Sequence, residues 1–474
     1  MRPTDLPMSS SSDALSPPAD HERADAVHEP ARRVPVFASC DVVVLGGGPA
    51  GIAAAAAAAR RGANTLLVER YGFLGGMGTA AGVTNFCGLH ANVHGEHVRV
   101  VRGVADELLD RLRALDGLNE PHLVFGRILA QAYDTAAFKC AADQMLLGAG
   151  ADVLFHTTAV GVVRDEHGDV DALLVETRSG RFAVRAATFI DCSGDGDLAH
   201  FAGATMDHGN AMLYPTLMFR VGAVDDARAG EAWRTIPALM DAAQAAGDFA
   251  FPRRGAIVRP QRHAGEWRVN VTQLKNADGS AVDGTDALSL SRAEVEGRRQ
   301  AIDYLRFLRA RAPGFERAYL LEIAPQVGIR ETRRLVGEHV LSGDEVVACA
   351  DFADTIGVNG WPLELHVAGD VEWRWPAAGS RGFNQLPLRM LLPADVGQVR
   401  PPRNLVVAGR CASMTHDGQS AARVTGGCFV MGQAAGTLAA LARRRAQALR
   451  AVPVDALQQS LASAGVYLGT APGG

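Results

Sequence analysis

The first apolar run, in "CDVVVL" (residues 40–45), is continuous from Val42 to Leu45 after Asp41, so it predicts a strand buried on both faces, as in a parallel sheet. The run that follows stays small and apolar from Ala50 to Ala59 and ends at Arg60 and Arg61. It predicts a helix with Pro49 in its first turn, where a missing N–H costs nothing, and Gly62 at its stop. "NTLLVE" (64–69) is a second buried strand, and the three pieces make a right-handed βαβ unit of about 30 residues.

Helical spacing returns from Val104 to Leu115 and from about Thr135 to Leu147. From Val153 the period drops to two, in short strands broken by the turn dipeptides His167-Gly168 and Ser179-Gly180, which predicts a β-meander. Its last strand, "ATFIDC", is apolar again and runs into a glycine-rich turn. Residues 210–390 have weaker periodicity, with one clear helix near Ser291 to Ala312, and read as a separate α+β lobe on the substrate side. The chain then returns to a buried strand, "NLVVAG" (404–409), and a glycine-started helix, "GGCFVMGQAAGTLAALARRR". The expected organisation is therefore a tail at 1–38, a discontinuous α/β nucleotide domain at 39–209 with 391–446, a substrate or cap domain at 210–390, and a tail at 447–474.

A chain of 474 residues exceeds the usual size of one core, which agrees with two lobes. Its net charge of −5 and the absence of a basic run argue against nucleic acid and for small molecules as partners, with a homo-oligomer left open. Seven scattered cysteines without a C-x-x-C pair argue for reduced thiols in a cytoplasmic protein rather than disulfides or a thiolate zinc site. No apolar run reaches the roughly 20 residues of a membrane span. The tail is rich in Ser, Pro and charge, lacks the apolar segment of a signal peptide, and is expected to be disordered.

Gly46-x-Gly48-x-x-Gly51 lies between the first strand and its helix, and Glu69 ends the second strand. One glycine makes the tight turn, one admits a diphosphate to the backbone, and one lets helix and strand pack, while Glu69 accepts ribose hydroxyls. The next segment, "RYGFLGGMGTAAG", is a long glycine-rich loop suited to an extended ligand, which favours FAD over NAD. On "VVVLGGGPAG", "LVERYGFLGG" and three later stretches, the chain resembles the FAD-dependent oxidoreductases of the glutathione-reductase-like flavoproteins. Those stretches are "IDCSGDGDLAHFAGA" (190–204), "GIRETRRLVGEHVLSGDEV" (328–346) and the region 404–441.

The resemblance implies a three-layer ββα, Rossmann-like domain that binds FAD. It implies cofactor contacts from Gly46, Gly48, Pro49, Ala50, Gly51, Glu69, Arg70, Gly75, Gly76, Met77, Val160, Gly194, Asp195, Gly409, Arg410, Gly426 and Gly427. Where related flavoproteins carry Gly-Asp for the ribityl chain, this chain reads Gly409-Arg410, with Asp195 a candidate for the missing acid. Asp191, Ser193, Asp195 and Asp197 also match the early positions of a calcium loop, but Ala202 stands where its bidentate Glu is needed. His90, His94 and His97 lack an acid at helical spacing, so no metal is expected.

The resemblance does not name the base. Histidines suit proton transfer near neutral pH, and His416 and His366 are the candidates. Arg330, Arg333 and Arg334 lie close in sequence, and on a helix Arg330 and Arg334 would share a face, to clamp a carboxylate or pair with Glu331 and Glu338. Trp361, Trp373 and Trp375 suit a substrate wall or a core. The expected function is hydride transfer between a small organic substrate and the flavin, by a dehydrogenase or reductase with an unidentified electron acceptor or donor. The alternatives are a flavin-dependent monooxygenase and a non-catalytic, redox-responsive flavoprotein.

Overall fold

Alternate residues of the first strand, Val36–Leu45, enter two different cores: Val42 and Val44 join one cluster, Val43 and Leu45 the other. Successive side chains of an extended chain leave opposite faces, so an uninterrupted apolar strand must be covered on both. The same split recurs at Leu66 and Leu67, Phe189 and Ile190, and Leu405 and Val406. In this computed structural model, which describes residues 27–209 and 212–469, the result is a mixed α/β fold. Helices cover one face of a Rossmann-like sheet and the meander side covers the other.

The parallel strands stand in the order 152–154, 65–68, 36–45, 180–191 and 405–407. Gly180–Asp191 serves two neighbours on one edge. Its first half pairs antiparallel with Val170–Thr177, itself joined to Thr158–Arg164, and Phe189–Asp191 pairs parallel with Leu405–Val407. Against the helix side lies Pro49–Ala59, buried from Ala50 to Ala58, and against that helix lies Thr425–Arg445. The backbones nearly touch: a Cβ on Gly432 or Gly436 would lie 2.0 Å from the carbonyl oxygen of Ala50 or Ala54. One-methyl side chains and bare glycines are what permit this spacing.

The second lobe is a four-stranded antiparallel sheet of Ile257–Pro260, Trp267–Asn270, Phe219–Gly222 and Tyr319–Ile323. Ala232–Ala245 and Ala287–Arg311 pack on it around Trp267, Phe307 and Phe315. Its apolar cluster ends at Ala318, whereas apolar residues from Leu341 to Met390, inside the segment assigned to this lobe, share the core of Ile52 and Phe429.

Both tails need correction. The first strand already starts at Val36, paired with Ala183, and residues 1–26 of the expected tail lie outside the described residues. Val454–Ser463 is a helix whose Leu457 and Leu461 are buried in the main core. The stretch from Gly328 to Arg333 is irregular rather than helical, so Arg330 and Arg334 part company. Among the described residues no single helix is long and apolar enough to cross a membrane; His416–Ala422 and Thr425–Arg445 meet that test only jointly, bent by 91°.

Candidate active site

The glycine turn is built as a cradle. Gly46 takes φ +96°, and a Cβ on Gly51 would lie 1.8 Å from its carbonyl oxygen, so these two glycines are demanded by the turn and its packing. Gly48 differs. Its φ of −72° and ψ of −178° suit any residue, and a Cβ there would meet nothing nearer than Gly76 Cα at 3.8 Å. The space in front of Gly48 is left open to a ligand. Ile52 N donates to Gly48 O at 2.9 Å, the first bond of the helix, so the N–H groups of Ala50 and Gly51 precede any intrahelical acceptor and remain for an anion. Glu69 closes the cradle, its two oxygens accepting from Gly47 N (2.6 Å) and Tyr71 N (2.9 Å). Burial raises its carboxyl above the ordinary value, and those hydrogen bonds oppose the rise.

One cavity runs from this cradle into the second lobe, lined by Gly46, Gly48, Glu69, Arg70 and Gly76 on the sheet side and by Met218, Ile257, Arg268 and Asn270 on the other. Ala50, Gly194, Gly409, Arg410, Thr425 and Cys428 line the stretch between. A dinucleotide whose diphosphate must meet bare backbone fits these residues.

Asp191 makes no contact with the cavity. Fully buried, it accepts from Ser193 N (2.9 Å), Ser193 Oγ (2.6 Å) and Ala199 N (2.8 Å), and so shapes the turn after its strand. Asp195 accepts from Arg410 (2.7 Å) and Thr332 Oγ1 (3.0 Å). Burial alone would raise its carboxyl, but the Arg410 and Arg70 guanidiniums hold it below the ordinary value. Asp195 is therefore the anchor behind Arg410, and Arg410 is the side chain at the cavity wall. With Asp197 paired to Arg333 at 2.5 Å, these carboxylates are engaged by guanidiniums and backbone N–H groups, not set out as a calcium loop.

At the far end, Leu363–Val367 carries Glu364 and His366 side by side, since residues two apart share a face of a strand. His366 Nε2 lies 3.2 Å from Glu364 Oε1, and Trp361 Nε1 donates to Glu364 Oε2 at 3.0 Å. Burial and the nearby Arg330 guanidinium lower the imidazole to about 3, leaving it neutral at ordinary pH. Burial opposes ionisation of Glu364, but the hydrogen bonds from His366 and Trp361 and the Arg423 guanidinium bring it down to about 2. Arg330 lines the same space and donates to Tyr214 O (2.6 Å) and Thr216 Oγ1 (2.8 Å).

Pro49, Met77 and the cavity residues named above thus come together, with His366 and Arg330. Others do not. His416 stands outside the lining, with Nδ1 2.8 Å from the buried Glu331, which is also paired with Arg334. Val160 is a strand residue beyond Thr157, Thr158 and Ala159, which do reach the cavity. Gly51 and Gly75 lie behind it, and so do Gly426 and Gly427, where a Cβ would strike Gly88 O at 2.3 Å or Ala422 O at 2.2 Å. Val424, Thr425 and Cys428 face it instead. Of the tryptophans, Trp361 lines the cavity, while Trp373 stacks on Trp375 behind it. Sequence reading missed Glu364, although the Glu-x-His alternation signalled it, and missed Arg268 and Arg423, for which no local pattern exists.

The profile of the family described as FAD dependent oxidoreductase matches residues 41–461. Comparison with curated proteins gives no match. Among solved structures, a geranylgeranyl bacteriochlorophyll reductase-like protein from Thermoplasma acidophilum is 15% identical, with a TM-score of 0.47 over 90% of this chain and 82% of its own. p-Nitrophenol 4-monooxygenase from Pseudomonas putida is 10% identical, with a TM-score of 0.45 over 92% and 91%. Anhydrotetracycline hydroxylase from Streptomyces rimosus is 14% identical, with a TM-score of 0.42 over 90% and 66%. Likenesses at this level say nothing about the reaction. The family match spans both fingerprints and the last long helix, and on it the chain belongs to the FAD-dependent oxidoreductases, enzymes that work with FAD.

Proposed function

We propose that the enzyme moves a hydride between a small organic substrate and N5 of the flavin, as a dehydrogenase or reductase, with His366 handling the accompanying proton. The single observation behind this is the pairing of buried His366 with Glu364 in the cavity that also contains the glycine cradle. FAD, when bound, supplies the hydride acceptor or donor. The ionised Glu364 takes the Nε2–H of His366, which fixes the tautomer and leaves the lone pair on Nδ1. In oxidation the substrate's O–H or N–H proton would pass to Nδ1 as FAD took up the hydride, and in reduction Nδ1 would give the proton back. The Asp195–Arg410 pair holds one wall of the cavity rigid, and the second lobe excludes water. The phrases shared with the glutathione-reductase-like flavoproteins support placing the enzyme with them, and its reduced, unpaired cysteines suit a cytoplasmic setting.

Anaerobic bleaching of the flavin by candidate alcohols and amines tests the reading. His366→Gln is expected to slow bleaching by about 10²- to 10⁴-fold, the usual worth of a positioned base, with flavin content retained. An unchanged rate in that variant removes His366 from the reaction.

A further inference from the structure

Three guanidiniums line the far end of the cavity, those of Arg268, Arg330 and Arg423, against one carboxylate, Glu364. A fourth, Arg253, lies buried behind Asn270 and donates to its carbonyl oxygen at 2.6 Å. Each of the four lies within electrostatic reach of Glu364, which is already hydrogen-bonded by His366 and Trp361. Arginine stays protonated in proteins, so this wall holds more positive charge than the chain neutralises.

Hydrogen bonding is also incomplete at Arg253, Arg268 and Arg423. Arg268, 4% exposed, donates to Val83 O, and its Nη2 is satisfied by Asn85 in the amide orientation that suits both ends of that side chain, but its Nε has no partner. Arg423 Nε and Nη2 are buried without partners as well. Guanidiniums that line an apolar cavity without matching counter-charge are costly to keep there, and a bound anion offsets that cost. Arg423 stands two residues before the helix start at Thr425, where it would face negative charge on a bound flavin. Arg268 and Arg330 remain, on the side of the second lobe.

We infer that the substrate is an organic acid whose carboxylate lies between Arg268 and Arg330, with an apolar body against Met218, Ile257, Ile329 and Trp361. The forked N–H groups of arginine match a carboxylate's two oxygens, and the apolar wall leaves the rest of the molecule without polar demand. The inference rests on this cavity being the substrate site proposed above. Bringing in a negative charge also acts on His366, because it offsets the arginines that hold the imidazole down and strengthens it as a base when substrate is present.

The test is equilibrium binding to the FAD-loaded protein, followed by perturbation of the flavin spectrum. The probes are straight-chain and aromatic monocarboxylates, the matching amides, and inorganic phosphate. The expected result is saturable binding of at least one acid, with its amide weaker by 100-fold or more and phosphate without effect. Arg268→Gln should weaken that acid at least 30-fold at unchanged flavin content, and Arg268→Lys, which keeps the charge, should fall between. Amides binding as well as acids, phosphate replacing them, no acid binding at all, or an Arg268 variant with unaltered affinity each overturn the inference. Acid binding without bleaching by any substrate keeps the anion site and removes the hydride reading; bleaching by neutral compounds alone does the reverse.

Discussion

Replacing Gly48 and Gly51 by alanine separates a glycine kept for a ligand from one kept for the fold. At Gly48 the backbone is extended and the nearest protein atom to a new Cβ is 3.8 Å away, so the added methyl meets no protein. Losing glycine at a helix start costs at most about 1 kcal/mol. The methyl does, however, stand where a diphosphate approaches the backbone. If it displaces two charge-assisted hydrogen bonds worth about 1.5–3 kcal/mol each, FAD affinity falls by about 3–6 kcal/mol, or roughly 10²- to 10⁴-fold. At Gly51 the new Cβ lies 1.8 Å from Gly46 O, and neither backbone can yield, so Gly51→Ala should lose about 3 kcal/mol or more of stability. Urea unfolding of the flavin-free proteins and fluorescence titration with FAD measure the two quantities. The reasoning fails if Gly48→Ala binds FAD within threefold of the parent, or if it is destabilised as much as Gly51→Ala.

The remaining predictions concern charge and packing. His366 is neutral in the folded protein down to about pH 3 but protonates near 6.5 when unfolded, so the unfolded chain binds the extra proton and stability is lost as pH falls below 6.5. Between pH 6.5 and 5 this one group is worth about 1.6 kcal/mol; His90 and His122, both held near 4 mainly by burial, add in the same direction. Urea midpoints across that range should drop, and His366→Gln should flatten the drop by about that amount. Asp195→Asn leaves Arg410 without its buried partner and is expected to cost about 3 kcal/mol in urea unfolding and to weaken FAD retention on gel filtration. Gly436→Val forces the Thr425–Arg445 helix off Pro49–Ala59, and thermal unfolding of that variant should begin well below the parent's transition.

Much of this fold is legible from local pattern. The all-apolar strands announced burial on both faces, and the helix expected from Val104 to Leu115 is found at Val104–Ala114, because periodicity survives where every turn faces the same core. The second lobe was faint because its strands are short, and its arginines sit at positions that only tertiary pairing makes interior. The cradle could be read because its glycines and Glu69 are fixed by a contiguous strand-turn-helix. The base could not: His416 and His366 look alike in sequence, and only the fold sends one to Glu331 and the other into the cavity. Asp195 and Arg410, far apart in the chain, likewise acquire their roles from each other.

The strand Gly180–Asp191 finds one partner nearby in the chain and another more than two hundred positions later, at Leu405–Val407. During synthesis the early βαβ unit and meander can assemble as they emerge, but the sheet edge beside Asp191 stays open until that late strand is made. Flavin capture therefore waits for nearly the whole polypeptide. A nascent chain halted just before Asn404 would display an unpaired β-edge and an unshielded alanine helix, surfaces for a chaperone rather than for a cofactor.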